Sequence, residues 1–297
     1  MENTARWPAL PLDSWRDTYA TLHMWTQIVG KITLASTPRM NHFWNIALQI
    51  TSRGLSTPTL TYGDLAFTMV FDFIRHQLVI ECSNGKTEMI GLEPMTVAEF
   101  YRVVLDRLDR MGINVRIWPM PVEIPDPIRF DKDVIHHSYN PESANGFWSI
   151  LISIKPVFEA FRCKFIGKSS PVHFFWGSFD LASTRFSGRP APDRPNADPI
   201  TKESYSHEVI SHGFWLGSGV IQEPAFYAYA APEPPGFNRA PVKPKAAFYS
   251  KDMSEFILPY GAVRTSGSPQ ADLNAFLEST YNAGADLGKW DRSTLER

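Results

Sequence analysis

The residues of this chain best suited to binding or catalysis fall in its second half, in the stretch PVHFFWGSFDLASTRFSGR (171–189). Its polar and tryptophan side chains are His173, Trp176, Ser178, Asp180 and Arg185. As one long strand, the stretch would place Trp176, Ser178 and Asp180 on one face and His173 and Arg185 on the other. A buried carboxylate beside a ring would anchor a small molecule, and Arg185 would hold an anionic group. The alternative is that Asp180 caps a loop or pairs with Arg185.

The motif YSHEVISH (205–212) supplies two candidates for acid–base catalysis, His207 and Glu208, and Asp180 is the third predicted catalytic residue. Histidine titrates near neutrality, and burial raises the pKa of a glutamate. In zinc proteases with His-Glu-x-x-His, both histidines lie on one helix face. Here the histidines are five positions apart, so a helix would turn them about 140° from each other. The spacing therefore predicts no metal at this motif, and a hydrogen-bonded histidine at a strand edge is the structural alternative.

A third candidate region is EPAFYAYAAPEPP (223–235), which predicts a strand carrying Tyr227 and Tyr229. We interpret Glu223 as a polar anchor and the two tyrosines as walls of a pocket. Glu223 and Glu233 form a carboxylate pair, but glycosidases are defined by a spatial separation of roughly 5 to 9.5 Å that sequence does not give. The alternative is that the tyrosines close the core with their hydroxyls at its wet edge.

Composition excludes several classes of protein. The chain has 297 residues, 20% of them charged, with a net charge of −2. Its basic residues are scattered, so we expect no nucleic-acid partner. Charged residues interrupt the apolar stretches, and the N-terminal segment MENTARWPALPLDSW lacks the basic start and apolar run of a signal peptide, so we expect no membrane partner and a cytoplasmic location. Nucleotide-binding and serine-hydrolase motifs are absent from the sequence, and cofactors and oligomeric state stay unknown.

These residues need a scaffold, and hydrophobic periodicity predicts one for the first half. An aromatic-faced helix ends near Gly30, and 42–53 alternates like a strand. Asn84-Gly85 predicts a tight turn in a three-strand meander. Thr96 with Glu99 forms a capping box that opens another helix. The predicted meander strands are 67–74, 77–82 and 87–92.

The second half repeats this order. IVGK (28–31) resembles FIGK (165–168), and in each half a tryptophan and an arginine follow, nine positions apart. The sequence therefore predicts an α+β fold of two related α-β-β-β-β-α units with antiparallel sheets, forming one compact duplicated domain. The units are 1–125 and 144–297, with a linker at 126–143. In this alignment Asp180 matches Leu48 and Ser178 matches Ile46, so a face that is apolar in one copy is polar in the other.

Two long loops occur only in the second unit, 188–206 and 232–244. Long loops in compact domains are often functional. Both loops flank the stretch 171–189 in the predicted arrangement. We therefore expect them to act as lids over a pocket.

Five blocks of the sequence resemble an uncharacterised, mainly bacterial family, domain of unknown function 5996. They are LHMWTQIVGKI (22–32), FIGKSSPVHFFWGSFDLASTRFSGR (165–189), SHEVISHGFW (206–215), EPAFYAYAAPEPPGF (223–237) and LESTYNAGADLGKWD (277–291). The resemblance runs from about Trp7 to Trp290 and implies a single conserved unit. It implies no activity and offers no catalytic residues.

Three hypotheses for function follow from these residues. The first is a small-molecule-binding protein or an acid–base enzyme with an aromatic-walled pocket in the second half. The second is a non-catalytic interaction or homo-oligomeric protein that uses an aromatic sheet face. The third is a metal-dependent enzyme in which His173 acts with His207 or His212. The sequence does not decide whether the protein is an enzyme.

Overall fold

The computed structural model describes residues 7–217 and 219–297. The first six residues, part of the segment used to predict the location, lie outside the described residues. The helices are α1 (Arg16–Ala35), α2 (Val97–Arg110), α3 (Pro141–Arg162), α4 (Pro199–Ser204), α5 (Tyr260–Arg264), α6 (Pro269–Leu287) and α7 (Arg292–Leu295). Short 3-10 helices span Leu12–Ser14, Asn41–Ile46, Phe130–Lys132 and Phe237–Arg239. In the described parts of the chain, every helix is too short or too polar to cross a membrane.

The strands form two six-stranded antiparallel sheets. The first sheet has the order β1-β2-β4-β5-β6, with β3 beside β4, and the second has the order β11-β12-β10-β9-β8-β7. The first-sheet strands are β1 (Gln49–Ile50), β2 (Gly54–Ser56), β3 (Leu60–Tyr62), β4 (Leu65–Asp72), β5 (Gln77–Cys82) and β6 (Thr87–Gly91). The second-sheet strands are β7 (His173–Phe175), β8 (Asp180–Pro190), β9 (His207–Trp215), β10 (Ala225–Ala231), β11 (Phe248–Ser250) and β12 (Glu255–Pro259). This arrangement confirms the predicted α+β class with antiparallel sheets.

A single backbone bridge joins the two sheets. Leu48 and Phe174 exchange both N–H···O hydrogen bonds, each 2.8 Å long. Because β1 and β7 are edge strands of their sheets, the two halves meet edge to edge. One hydrophobic cluster extends through both halves, from Trp7 to Trp290.

Helices cover one face of this double sheet, and residue alternation explains why. In the first sheet, alternate positions of β4 and β5 are buried, as in the pair Phe71 and Leu78. In the second sheet, α3 and α6 cover β8, β9 and β10, and the residues beneath them include Leu181, Phe214 and Phe226. Successive side chains of a strand point to opposite faces. The other face of the second sheet therefore carries the intervening residues, which include Asp180, Thr184 and Ser211.

Each half contains a six-stranded sheet rather than the four strands predicted, and the second half also has α4 between β8 and β9. The residue correspondence predicted from sequence differs from the hairpin register. The first hairpin ends on the pair Ile50 and Leu55, and the hairpin of the second half ends on the pair Phe175 and Asp180. By register, Asp180 therefore corresponds to Leu55 rather than to Leu48. Leu55 is fully buried. Leu55 pairs with Phe71, whose ring stacks on Phe100 of α2, so Leu55 lies on the helix-covered face. Asp180 lies on the opposite face, so the register does not match it to an apolar residue of the same face.

Local signals in the first half predict the structure well. The meander is present as β4, β5 and β6, with Asn84-Gly85 between β5 and β6. The Thr96 side chain accepts a hydrogen bond from the backbone N–H of Glu99 over 3.1 Å, as expected of a helix N-cap. These features depend on neighbouring residues, and the sequence was sufficient to find them.

Two predicted strands are wrong. The stretch 171–189 is a hairpin, because residues 176–179 form a tight turn in which Phe179 has a φ of +56°. The segment predicted as a strand at 42–53 begins as a 3-10 helix, where His42 and Phe43 have φ values of +56° and +55°. The His42 backbone N–H donates to a Glu203 side-chain oxygen over 3.0 Å. This distant contact favours a conformation that local alternation does not predict.

The first helix continues beyond Gly30 to Ala35. A Cβ at position 30 would lie 2.2 Å from the Trp176 ring, closer than any real contact. Gly30 therefore permits close approach of the ring to the helix and does not end it.

Candidate ligand-binding site

The candidate site lies on the face of the second sheet that the helices leave uncovered. Strand pairing places Asp180, Thr184, Ser211, Tyr227 and Tyr229 on this face. They come from β8, β9 and β10, the three adjacent central strands. Ring and hydroxyl groups therefore share one surface.

A concave space of two connected lobes lies over this surface. The smaller lobe has a volume of about 340 Å³ and the larger about 750 Å³. The residues that line both lobes are Glu123, Ser178, Asp180, Tyr205, Tyr227 and Tyr229. The junction of the two lobes is therefore formed by carboxyl and hydroxyl groups.

Asp180 lies at this junction and is 8% exposed. Tyr227 donates its hydroxyl proton to Asp180 Oδ2 over 2.6 Å. Burial raises the pKa of the Asp180 carboxyl to about 7, and the hydrogen bond from Tyr227 only partly offsets this. Burial and the nearby Asp180 raise the pKa of Tyr227 well above its usual value, so Tyr227 remains a donor. Asp180 is therefore a carboxyl group that exchanges its proton near neutral pH.

Glu255 lines the larger lobe from the first residue of β12. Burial, and then the nearby Asp180, raise the pKa of Glu255 to about 7. Each carboxylate therefore disfavours ionisation of the other. Glu123 at the cavity mouth also raises the pKa of Asp180.

Hydroxyl groups extend this polar surface along the sheet. The Tyr205 and Tyr229 hydroxyls are 3.0 Å apart, and the Thr184 and Ser211 hydroxyls are 2.8 Å apart. The Tyr227 and Tyr229 rings stack with centroids 6.0 Å apart. The floor of the cavity thus combines ring surface with donors and acceptors.

The turn that presents Trp176 is supported by helix α1. The His23 imidazole donates from Nε2 to the carbonyl oxygens of Trp176 and Gly177, over 3.0 and 2.8 Å. Burial lowers the pKa of His23 to about 4, so the ring is neutral at pH 7. Ser178, in the same turn, donates to the exposed Glu123 carboxylate at the cavity mouth. A turn with little regular structure is thereby fixed at two points.

Helix α4 covers the smaller lobe, and it belongs to the predicted lid 188–206. Ile200, Thr201 and Ser204 of this segment line the lobe. Glu203 holds the segment in place, since its carboxylate pairs with Arg39 and its carbonyl oxygen accepts a hydrogen bond from His42 Nδ1 over 2.9 Å. The other predicted lid, 232–244, lies against α6 on the far side of the sheet. Only one of the two loops is therefore next to the site.

Several residues predicted for the site lie elsewhere. Arg185 is on the helix-covered face, with its guanidinium 3.5 Å from the Phe161 ring centroid. His173 is buried and packs on Phe175, outside the cavity lining. Five other predicted residues do line the smaller lobe together: Trp176, Ser178, Asp180, Tyr227 and Tyr229.

The remaining predicted residues also lie outside the cavity. Glu208 accepts from Ser187 over 2.9 Å and pairs with Arg189 over 2.6 Å, near the end of β8. His207 bonds Ser206 at the start of β9, and Glu223 is exposed in the loop before β10. Within 7–217 and 219–297, no group of three or more His, Cys, Asp or Glu side chains could hold a metal ion.

Sequence reasoning missed several residues of the site, among them Tyr19, His23, Glu123 and Glu255. Glu255 carried a weak signal, because it is a carboxylate at the start of an otherwise apolar strand. Glu123 lies in a proline-punctuated loop, and nothing nearby in the sequence distinguishes it. Tyr19 and His23 read as one face of a helix, a pattern typical of core packing.

Comparison with known proteins gives one match. A family model described as "Family of unknown function (DUF5996)" matches residues 7–297. Neither the curated proteins nor the solved structures that were searched gave a match. The match covers nearly the whole chain, including every residue of the cavity lining.

Proposed function

We propose that this chain, which belongs to the DUF5996 family of unknown function, binds a small molecule in the two-lobed cavity of the second sheet. The observation that carries the proposal is Asp180, a carboxyl group buried at the junction of both lobes with Tyr227 as its hydrogen-bond donor. A buried carboxyl without a cationic partner is costly to retain. Such groups with perturbed pKa values concentrate at functional sites.

Shape and lining support the same proposal. Ligand sites are concave, are lined mainly by apolar and aromatic groups, and contain a few placed polar groups. The larger lobe alone, at about 750 Å³, falls in the usual range of about 300 to 1,000 Å³ for such sites. Trp176 and Trp215 contribute ring surface, and Asp180 and Glu255 contribute the polar groups.

A thermal-shift screen of metabolites tests binding. A ligand at 100 times its dissociation constant adds about 2.7 kcal/mol to the free energy of unfolding. We expect Asp180→Asn to remove the shift caused by a true ligand. The matched control is Glu208→Gln, a carboxylate of the same sheet outside the cavity, which should keep the shift. Equal shifts in both variants would show that the compounds bind elsewhere.

A second candidate function, acid–base catalysis in the same cavity, is favoured by the carboxyl pair. Burial raises the pKa values of Asp180 and Glu255 to about 7, where a carboxyl group both gives and takes a proton at neutral pH. Asp180 is one of the predicted catalytic residues, and Glu255 takes the place of His207 and Glu208 as its partner. Mass spectrometry of each screening hit after incubation with the protein tests this. Conversion by Glu208→Gln but not by Asp180→Asn is expected, and conversion by both variants would contradict it.

A further inference from the structure

The carboxyl groups of the cavity lie at graded depth. Asp180 is 8% exposed at the floor, Glu255 is half-buried in the larger lobe, and Glu123 is exposed at the mouth. All three line the larger lobe. Acidic groups therefore run from the entrance to the deepest point of the cavity.

In the described part of the chain, no Lys or Arg side chain balances these groups, and the imidazole of His136, which lines the larger lobe, is paired with Asp133 over 2.7 Å. Among the described residues, no Lys or Arg lines either lobe, and none forms an ion pair with Glu123, Asp180 or Glu255. The imidazole of His23 is kept neutral by burial, which lowers its pKa to about 4. The ionised cavity therefore has a negative potential that the protein does not neutralise.

Ring surface surrounds the same space. Trp215 and Tyr227 meet edge to face with ring centroids 5.8 Å apart, and Tyr229 stacks on Tyr227. Tyr19 and Met253 line the same lobe. The face of an aromatic ring attracts cations, most strongly when the cation is desolvated. The larger lobe thus offers both an apolar wall and two kinds of attraction for positive charge.

We infer that the ligand is a protonated amine on an apolar or aromatic frame, with its ammonium group between Asp180 and Glu255 and its frame against Trp215 and Tyr227. This inference rests on the proposed small-molecule function. An ammonium group donates hydrogen bonds to carboxylates, which a neutral hydroxyl does less strongly and an anion does not do. The depth of Asp180 and the absence of a competing cation set this site apart from an acidic surface patch.

Binding of such a cation would be linked to proton release. A positive charge beside Asp180 and Glu255 favours their ionised forms and lowers the pKa of each. At pH 6 both groups carry protons in the free protein, since burial has raised each pKa to about 7. The amine would therefore displace protons that a neutral ligand leaves in place.

Matched triads of probes test the charge of the ligand. Each triad has one frame with three head groups, as in 2-phenylethylamine, 2-phenylethanol and phenylacetate, and several frames are compared by NMR with the full chain. We expect the amine of a triad to bind at least tenfold more tightly than its alcohol. Alcohols or carboxylates that bind as tightly as the amines would overturn the ligand class and leave the cavity as a binding site. If no member of any triad shifts cavity resonances, both the site and the ligand class fail.

A double variant and calorimetry give independent measurements. Asp180→Asn with Glu255→Gln should lower amine affinity at least tenfold and leave alcohol affinity unchanged, while Glu208→Gln should change neither. Circular dichroism checks that the variants fold. Titration of the wild-type protein at pH 6, in two buffers of different ionisation enthalpy, should show proton release with the amine and none with the alcohol. Proton release with both would contradict the inference.

Discussion

Each sheet buries an aspartate, and the two carboxyl groups have opposite surroundings. In the first sheet, Asp72 is fully buried and accepts hydrogen bonds from Arg53 and from the backbone N–H groups of Ile74 and Arg75. Burial favours a higher pKa for Asp72, but these donors outweigh it and the pKa is lowered. In the second sheet, Asp180 has the neutral Tyr227 as its donor, and burial raises its pKa to about 7.

The difference separates a structural carboxylate from a functional candidate. Asp72 stabilises the fold when ionised, because its donors compensate for the loss of water. Asp180 destabilises the fold when ionised, since the protein supplies no cation. A residue that lowers stability at neutral pH is best explained by an interaction that the free protein lacks.

The largest expected effect is a gain of stability in Asp180→Asn. The variant keeps an acceptor for Tyr227 and removes the buried charge. With a folded pKa of about 7 against an ordinary value of 3.8, ionised Asp180 costs up to about 4 kcal/mol. Urea unfolding at pH 8 should show a gain that approaches this value. A loss of stability at pH 8 would remove the distinction between the two aspartates.

Asp72→Asn should lower the free energy of unfolding, whereas Asp180→Asn should raise it. The amide weakens the bond to Arg53, and we expect a loss of about 2 kcal/mol in the free energy of unfolding at pH 7. Urea unfolding measures this as well. Glu81→Gln, an exposed carboxylate on the neighbouring strand, is the matched control and should change little. If Asp72→Asn has the same free energy of unfolding as the wild type, the charge of Asp72 does not stabilise the fold.

The pH dependence of stability should distinguish the wild type from Asp180→Asn. The folded pKa of Asp180 is raised to about 7, so the protonated carboxyl contributes to the free energy of unfolding. This contribution is fully present below about pH 4 and is lost as pH rises to about 7. In this window, the difference in free energy of unfolding between the wild type and Asp180→Asn should change by about 1.4 kcal/mol per pH unit. Buried histidines, with pKa values lowered to about 4 for His173 and about 3 for His212, act in the opposite direction and cancel in the difference. A flat difference between pH 4 and 7 would contradict the raised pKa.

The smallest expected effect is that of Tyr227→Phe. Loss of its hydrogen bond should lower stability by about 1 kcal/mol, and more at pH 8 than at pH 5, because bonds to an ionised acceptor are stronger. Thermal unfolding at both pH values measures this. In the Asp180→Asn background, the stability loss caused by Tyr227→Phe should be the same at both pH values. If the loss still depends on pH in that background, a group other than Asp180 is the cause.

The sequence predicted what depends on neighbouring residues. The Thr96 cap and the meander of β4 to β6 follow from turn and capping preferences that act within a few positions. The hairpin at 176–179 was missed, because the apolar residues on both sides suggest one continuous alternation. A positive φ at Phe179 is uncommon outside glycine and has no reliable sequence signal.

The candidate site was predicted in part, and distance along the chain explains the rest. Asp180 was identified from a predicted contrast between two halves, although the hairpin register matches it to Leu55, which lies on the opposite face. Tyr227 was identified from the alternation of its strand. Glu123 and Glu255 were missed because 57 and 75 positions separate them from Asp180, and no local pattern links such residues.

By itself, the sequence determined the fold class, the strands of the meander and the family. It also determined that successive side chains of β8 and β10 point to opposite faces, because the strand period of two follows from local backbone geometry. Only the tertiary structure decided which face the helices cover, and therefore that Arg185 is buried in the core while Asp180 lines a cavity. It also decided that Asp180 lacks a cation and Asp72 has one. A carboxyl group's pKa depends on burial and on charges within a few ångströms, and only the folded chain sets those distances.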